Sequence, residues 1–126
     1  MAVREPEQWT EILAAHPNEV AGLARRLRKA ALAALPDLTE RFYPGWQGLG
    51  LKHPAAGLIA TIFAREADVV VYLERGASLP DPDGLLEGAE RLRKTRMMVF
   101  RPGGKVPTAK QFVAYLDLAI EYVGIE

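Results

Sequence analysis

An aromatic loop followed by two basic side chains is the first segment whose residue types suggest chemistry. Phe42-Tyr43-Pro44-Gly45-Trp46 places aromatic rings in a loop containing Pro and Gly, and Lys52 and His53 follow it. Loop aromatics with polar groups nearby are typical of small-ligand pockets and of protein interfaces. Trp46, Lys52 and His53 are therefore candidate ligand-binding residues. The alternative is that Trp46 only closes one end of the core.

Motifs for catalysis or metal binding are weak. Ser78 is the only serine, and its surroundings, Gly76-Ala-Ser-Leu-Pro80, do not match the G-x-S-x-G turn of serine hydrolases. The two histidines, His16 and His53, are far apart in sequence, and the chain has no cysteine. Thiolate metal sites and cysteine nucleophiles are thus excluded. We predict no metal and no cofactor, and a non-enzymatic role is favoured over catalysis.

Two glycine pairs partly resemble phosphate-binding loops. Gly48-Leu-Gly50 lacks the third glycine of a dinucleotide-binding fingerprint, and Gly103-Gly104-Lys105 lacks the remaining residues of a P-loop. Both pairs are predicted to form tight turns.

The charges balance overall but are unevenly distributed. Lys and Arg number 16, as do Asp and Glu, so nothing indicates a general nucleic-acid or membrane binder. One predicted helix face is basic and carries Arg25, Arg26, Arg28 and Lys29. Residues 91–110 contain no acid and seven bases, which are Arg91, Arg93, Lys94, Arg96, Arg101, Lys105 and Lys110. We expect a basic surface for an anionic partner or metabolite, with Arg93 and Arg96 as further candidate ligand-binding residues. Alternatively, the acids of residues 66–90 pair with this run at the surface.

Apolar periodicity predicts an α+β domain. A chain of 126 residues suits one domain, residues 1–126, in which residues 1–16 form a short leading helical segment. Helical spacing predicts a second helix ending at Pro36 and a third opened by a capping box, Thr108 with Gln111, and closed at Gly124. Runs rich in β-branched residues predict strands at 41–43, 49–52, 58–63, 69–73 and 97–100. We expect the terminal helices to pack on one face of an antiparallel β-sheet.

The remaining sheet face needs a cover, and a homodimer would supply one. No apolar run approaches the length of about 20 residues that a membrane helix needs, and the first residues lack a secretory apolar segment. The sequence therefore predicts a cytoplasmic protein without a membrane partner.

Much of the chain resembles the YdhG-like family of small bacterial proteins, also called domain-of-unknown-function family 1801. The resemblance rests on Pro44-Gly45-Trp46-Gln47-Gly48, Val71-Tyr-Leu-Glu-Arg-Gly76-Ala77, Leu79-Pro-Asp-Pro82 and Gly84-Leu-Leu-Glu-Gly88, together with the helix 23–35 and Arg93. It implies an α+β fold and, through a frataxin-like branch, intracellular iron chaperoning.

The charges of the main helix argue against iron binding. Iron prefers carboxylate oxygens, whereas this helix carries four bases and Glu19 as its only acid. The acids at Glu5, Glu7, Glu11, Asp81, Asp83 and Glu87 lie on other segments. A binding or adaptor domain is the first hypothesis for function, and an iron-binding chaperone is the alternative.

Overall fold

The computed structural model describes residues 4–122. Three helices and five strands follow one another as α1 (Glu7–Ala14), α2 (Asn18–Ala34), β1 (Thr39–Tyr43), β2 (Gly48–His53), β3 (Gly57–Ala64), β4 (Val69–Leu73), β5 (Arg96–Phe100) and α3 (Ala109–Glu121). The five strands form one sheet in the order β1-β2-β3-β4-β5, and each is antiparallel to its neighbours. The α+β class and the antiparallel sheet between terminal helices are confirmed.

One face of the sheet packs against the helices. Successive side chains of a strand point to opposite faces, so alternate residues such as Leu49 and Leu51 on β2 share one face. These two residues are fully buried in one core cluster with Trp9 of α1, Leu27 of α2 and Phe112 of α3. We call this side the covered face.

The third helix begins as its sequence predicts. The Thr108 side chain accepts a hydrogen bond from the Gln111 backbone N–H at 3.0 Å, and the Gln111 side chain accepts from the Thr108 backbone N–H at 2.8 Å. This reciprocal pair satisfies two N–H groups that the helix itself leaves unpaired. The expected cap at Gly124 lies outside the described residues.

Arg28 is not on an exposed basic face, so that part of the prediction is wrong. Its side chain is 5% exposed and lies against Glu40 of β1, whose side chain is 8% exposed. The guanidinium donates two hydrogen bonds to the carboxylate, from Nε at 2.7 Å and from Nη2 at 2.6 Å. Such a two-pronged contact offsets the cost of removing both charges from water. The pair therefore fixes α2 to the first strand.

The other three bases of α2 differ in exposure. Arg25 donates to Glu5 at 2.9 Å from Nε, whereas Arg26 and Lys29 are exposed. The Arg25 guanidinium holds the pKa of Glu5 below its usual value, against the opposing effect of burial. The exposed basic face of this helix thus shrinks to two side chains.

Candidate ligand-binding groove

The face of the sheet opposite the helices carries a second, smaller apolar cluster. Val70, Met97 and Val99 are buried there, and Tyr72 packs against them. Among residues 4–122, no helical residue belongs to this cluster. We call this side the open face.

Strand register brings open-face side chains into two rows. Arg41 pairs with Gly50, Gly50 with Thr61, Thr61 with Tyr72, and Tyr72 with Met97, so the first row crosses all five strands. The second row contains Tyr43 opposite Gly48, and Phe63 opposite Val70, which itself pairs with Val99. Chemistry-bearing residues that are far apart in sequence are therefore neighbours on this face.

Gly48 and Gly50 lie within β2 and do not form a tight turn, so that prediction is wrong. A Cβ atom added to Gly48 would lie 2.7 Å from a ring carbon of Phe63, and one added to Gly50 would lie 2.5 Å from a ring carbon of Tyr43. Glycine inside a strand often marks such a close approach. The two glycines therefore let the aromatic rings lie flat against the sheet.

A groove of about 580 Å³ opens on this face. Its lining is mostly apolar or aromatic and includes Trp46, Phe63, Tyr72, Leu92, Thr61 and Glu74. Ligand-binding pockets are typically of this size, with apolar walls and a few polar groups. The geometry is suited to a small organic molecule.

Trp46 lines the groove and is 54% exposed, which contradicts the alternative that it closes the core. Its ring stacks on Tyr43 with 4.8 Å between centroids and 28° between planes. Phe63 and Tyr72 meet edge to face with 5.3 Å between centroids. These contacts hold the aromatic walls in place.

The Thr61 hydroxyl is the most unusual polar group of the groove. Thr61 is 1% exposed, and within residues 4–122 its Oγ1 atom has no hydrogen-bond partner. A buried hydroxyl without a partner costs about 1–3 kcal/mol of stability. Thr95, also in the lining, does have a partner, because its hydroxyl donates to the Glu74 carbonyl oxygen at 3.2 Å.

Two charged side chains of opposite sign line the groove. Arg65 donates to Asp68 from Nε at 2.6 Å and from Nη2 at 2.8 Å, and these bonds hold the pKa of Asp68 below its usual value. Glu74 is half-buried, and its carboxylate has no hydrogen bond or ion pair to any other residue of 4–122. The positive charge is thus already paired, whereas the negative charge is not.

Lys52 and His53 do not join Trp46. They lie at the far end of β2, about 13 Å and about 17 Å from Gly48 by the rise of a strand. The His53 Nδ1 atom accepts from the backbone N–H groups of Ala55 and Ala56 at 3.1 and 3.3 Å, which closes the β2–β3 turn. Neither residue lines the groove.

Arg93 and Arg96 have different positions. Arg93 is exposed beside Leu92, which lines the groove. The Arg96 guanidinium donates from Nη1 to the carbonyl oxygens of Leu92 at 2.7 Å and of Thr95 at 2.8 Å. Leu92 and Thr95 both line the groove, so Arg96 fixes the loop that forms one wall.

The acidic and basic blocks rarely pair with each other. Within residues 4–122, the ion pair found between residues 66–90 and residues 91–110 is Arg91 with Glu90, at 3.7 Å and with both side chains mostly exposed. An exposed pair of this kind contributes little to stability.

The part of the chain that the structure describes holds no group of three or more His, Asp or Glu side chains able to bind a metal ion. Three of the acids named above as possible iron ligands already have side-chain partners. Glu5 accepts from Arg25, and Asp81 accepts from the Tyr115 hydroxyl and from the backbone N–H groups of Leu85 and Leu86. Asp83 accepts from the Gln111 side-chain amide at 3.4 Å. In residues 4–122, no helix has the length and apolar character to cross a membrane.

Sequence reasoning found Trp46 but missed Thr61, Phe63, Tyr72 and Glu74. The overlooked signal is in the strands themselves, because 69–73 is apolar at every position rather than at alternate ones. Continuous apolar strands indicate that both faces of a sheet are at least partly covered.

No protein-family model matches the chain, and no curated protein or solved structure matches it either. The resemblance to the YdhG-like family therefore stays a prediction.

Proposed function

We propose that the protein is a non-enzymatic binding domain of the bacterial cytoplasm that holds a small organic molecule in the open-face groove. The observation that carries this proposal is a groove of about 580 Å³ with mostly apolar and aromatic walls and a few polar groups.

Trp46 provides a direct test. A panel of small aromatic molecules is titrated against the protein while tryptophan emission is followed. The other tryptophan, Trp9, is fully buried on the covered face, so a saturable change reports on Trp46. The Trp46→Phe variant is the matched control and should lose this signal.

Methyl NMR locates the binding. Bound molecules should shift the signals of Thr61 and Val70, which line the groove, and leave those of Val20 and Leu27 unchanged. Shifts confined to the covered face, or no saturable binding by any molecule of the panel, would refute the proposal. The predicted homodimer is also untested. The same samples can be used to measure the number of subunits.

A second candidate function is binding of an anionic partner. Arg93 and Lys94 are exposed, and within residues 4–122 neither forms an ion pair. Retention on immobilised heparin should fall as salt rises and should weaken in an Arg93→Gln/Lys94→Gln variant. The exposed pair on α2 is the control, as Arg26→Gln/Lys29→Gln. Equal retention of all three proteins would contradict this role.

A further inference from the structure

We infer that the groove selects an organic cation: an ammonium group on an aromatic or alkyl body. This inference rests on the proposed function and adds the chemical class of the ligand. It follows from the balance of charges and hydrogen-bonding atoms around the groove.

Glu74 provides the first argument. The residue lines the groove and is half-buried, and within residues 4–122 its carboxylate forms no hydrogen bond or ion pair. A carboxylate accepts hydrogen bonds but cannot donate them. Its complement is an N–H group, and a charged one forms the stronger bond.

Within residues 4–122, no cation forms an ion pair with Glu74; the ion pairs found there join other acids. Arg65, which also lines the groove, is occupied by Asp68 through two hydrogen bonds. Arg75, Arg93 and Lys94 are exposed to solvent.

The aromatic walls provide the second argument. Trp46, Phe63 and Tyr72 line the same groove as the carboxylate. The electron-rich faces of aromatic rings attract cations, and Trp does so most strongly. The chain already shows this attraction nearby, since the Arg41 Cζ atom lies 5.3 Å from the centre of the Tyr43 ring. The groove therefore combines an apolar wall for the body of a ligand with acceptors for its cationic end.

Three probes of similar size and different charge test the inference. They are 2-phenylethylammonium, the neutral 3-phenylpropan-1-ol and the anionic 3-phenylpropanoate, each titrated into the full chain by calorimetry at neutral pH. The cation should bind about tenfold or more tightly than the other two, which is the usual strength of a hydrogen bond to a charged group.

The Glu74→Gln variant should show a much smaller preference for the cation over the alcohol, because only the attraction of the aromatic rings is left. Glu19→Gln removes an exposed carboxylate on α2 and should keep the preference. Circular dichroism checks that both variants fold. If Glu74→Gln does not fold, the comparison of the three probes on the wild-type protein still tests the cation preference.

The outcomes separate the two proposals. If all three probes bind equally in the groove, the binding function stands and the cation preference is overturned. Tighter binding of the anion, or an unchanged preference in folded Glu74→Gln, also overturns it. If no probe binds even at millimolar concentration, the groove itself is not a ligand site and both proposals fail.

Discussion

The two faces of the sheet bury apolar side chains to different degrees. On the covered face, helices seal residues such as Leu51 and Ile62 completely. On the open face, Val70 and Val99 are buried by neighbouring side chains, while Tyr72 and Phe63 stay half-exposed. The same sheet thus has one face that forms the core and another that forms a groove.

Polar groups do not divide so cleanly between the two faces. On the covered face, Arg28 and Glu40 satisfy each other through two hydrogen bonds, but within residues 4–122 the buried indole N–H of Trp9 has no hydrogen-bond partner. On the open face, the buried Thr61 hydroxyl also has no partner among these residues, and the half-buried Glu74 carboxylate forms no ion pair with them. A buried polar group without a partner reduces stability on either face.

The largest expected effect comes from breaking the buried ion pair. Glu40→Leu leaves the Arg28 charge buried without this carboxylate and should lower the free energy of unfolding by about 3–5 kcal/mol. Urea unfolding followed by circular dichroism measures it. Arg28→Met combined with Glu40→Leu should recover most of the loss. As a control, Asp68→Asn at the exposed pair with Arg65 should cost less than about 1 kcal/mol. Equal losses at the two sites would contradict the contrast between the faces.

Truncating one side chain on each face sharpens the comparison. Leu51→Ala, at a fully buried position of the covered face, should cost about 2–5 kcal/mol because it leaves a cavity beneath the helices. Phe63→Ala should cost less, since its half-exposed ring already borders an open groove. Both values come from the same urea experiment. A larger loss for Phe63→Ala would show that the open face is the main source of stability.

The two threonines of the groove should respond with opposite signs. Thr61→Val removes an unpaired hydroxyl and should raise the free energy of unfolding by about 1 kcal/mol. Thr95→Val removes the bond to the Glu74 carbonyl oxygen and should lower it by about 1 kcal/mol. Calorimetric unfolding compares the two variants with the wild type. A destabilised Thr61→Val variant would mean that this hydroxyl contributes to folding rather than to binding.

The smallest expected effect is a pH dependence at the turn before β5. Burial alone raises the pKa of Asp81, but hydrogen bonds from Tyr115, Leu85 and Leu86 outweigh it and hold the pKa below its usual value. A lowered pKa in the folded state contributes stability above the unfolded value, and this contribution is lost as pH falls through the folded value.

Asp81→Asn should therefore reduce the loss of stability on acidification, measured by urea unfolding at a series of pH values from neutral downwards. Tyr115→Phe removes one of the hydrogen bonds and should give an intermediate slope. A slope in Asp81→Asn as steep as that of the wild type would contradict this account.

Secondary structure was predictable because its signals are local. The strand at 69–73 and the break at 65–68 agree with β4 and its preceding turn, and the capping box of α3 is confirmed. Arg28 shows the limit of such reasoning. Its position on the polar side of a helical projection is correct, but its burial depends on Glu40, a residue of the following strand.

The candidate site was only partly predictable for the same reason. Trp46 was identified from loop composition, whereas Lys52 and His53, which are closer to it in sequence than Tyr72 or Glu74, lie outside the groove. Each step along a strand moves a residue about 3.3 Å farther away, so neighbours in sequence soon lie far apart. Pairing across strands, in contrast, brings together residues from distant segments of the chain.

The sequence by itself determined the helices and strands and most of their apolar faces, because periodicity and capping act within a few residues. Only the tertiary structure decided which polar groups would be satisfied. Sheet register placed Thr61 and Glu74 beside aromatic rings from other strands, and helix packing buried Arg28 against Glu40. Burial and partnership are properties of contacts between distant segments, and these arise only when the chain folds.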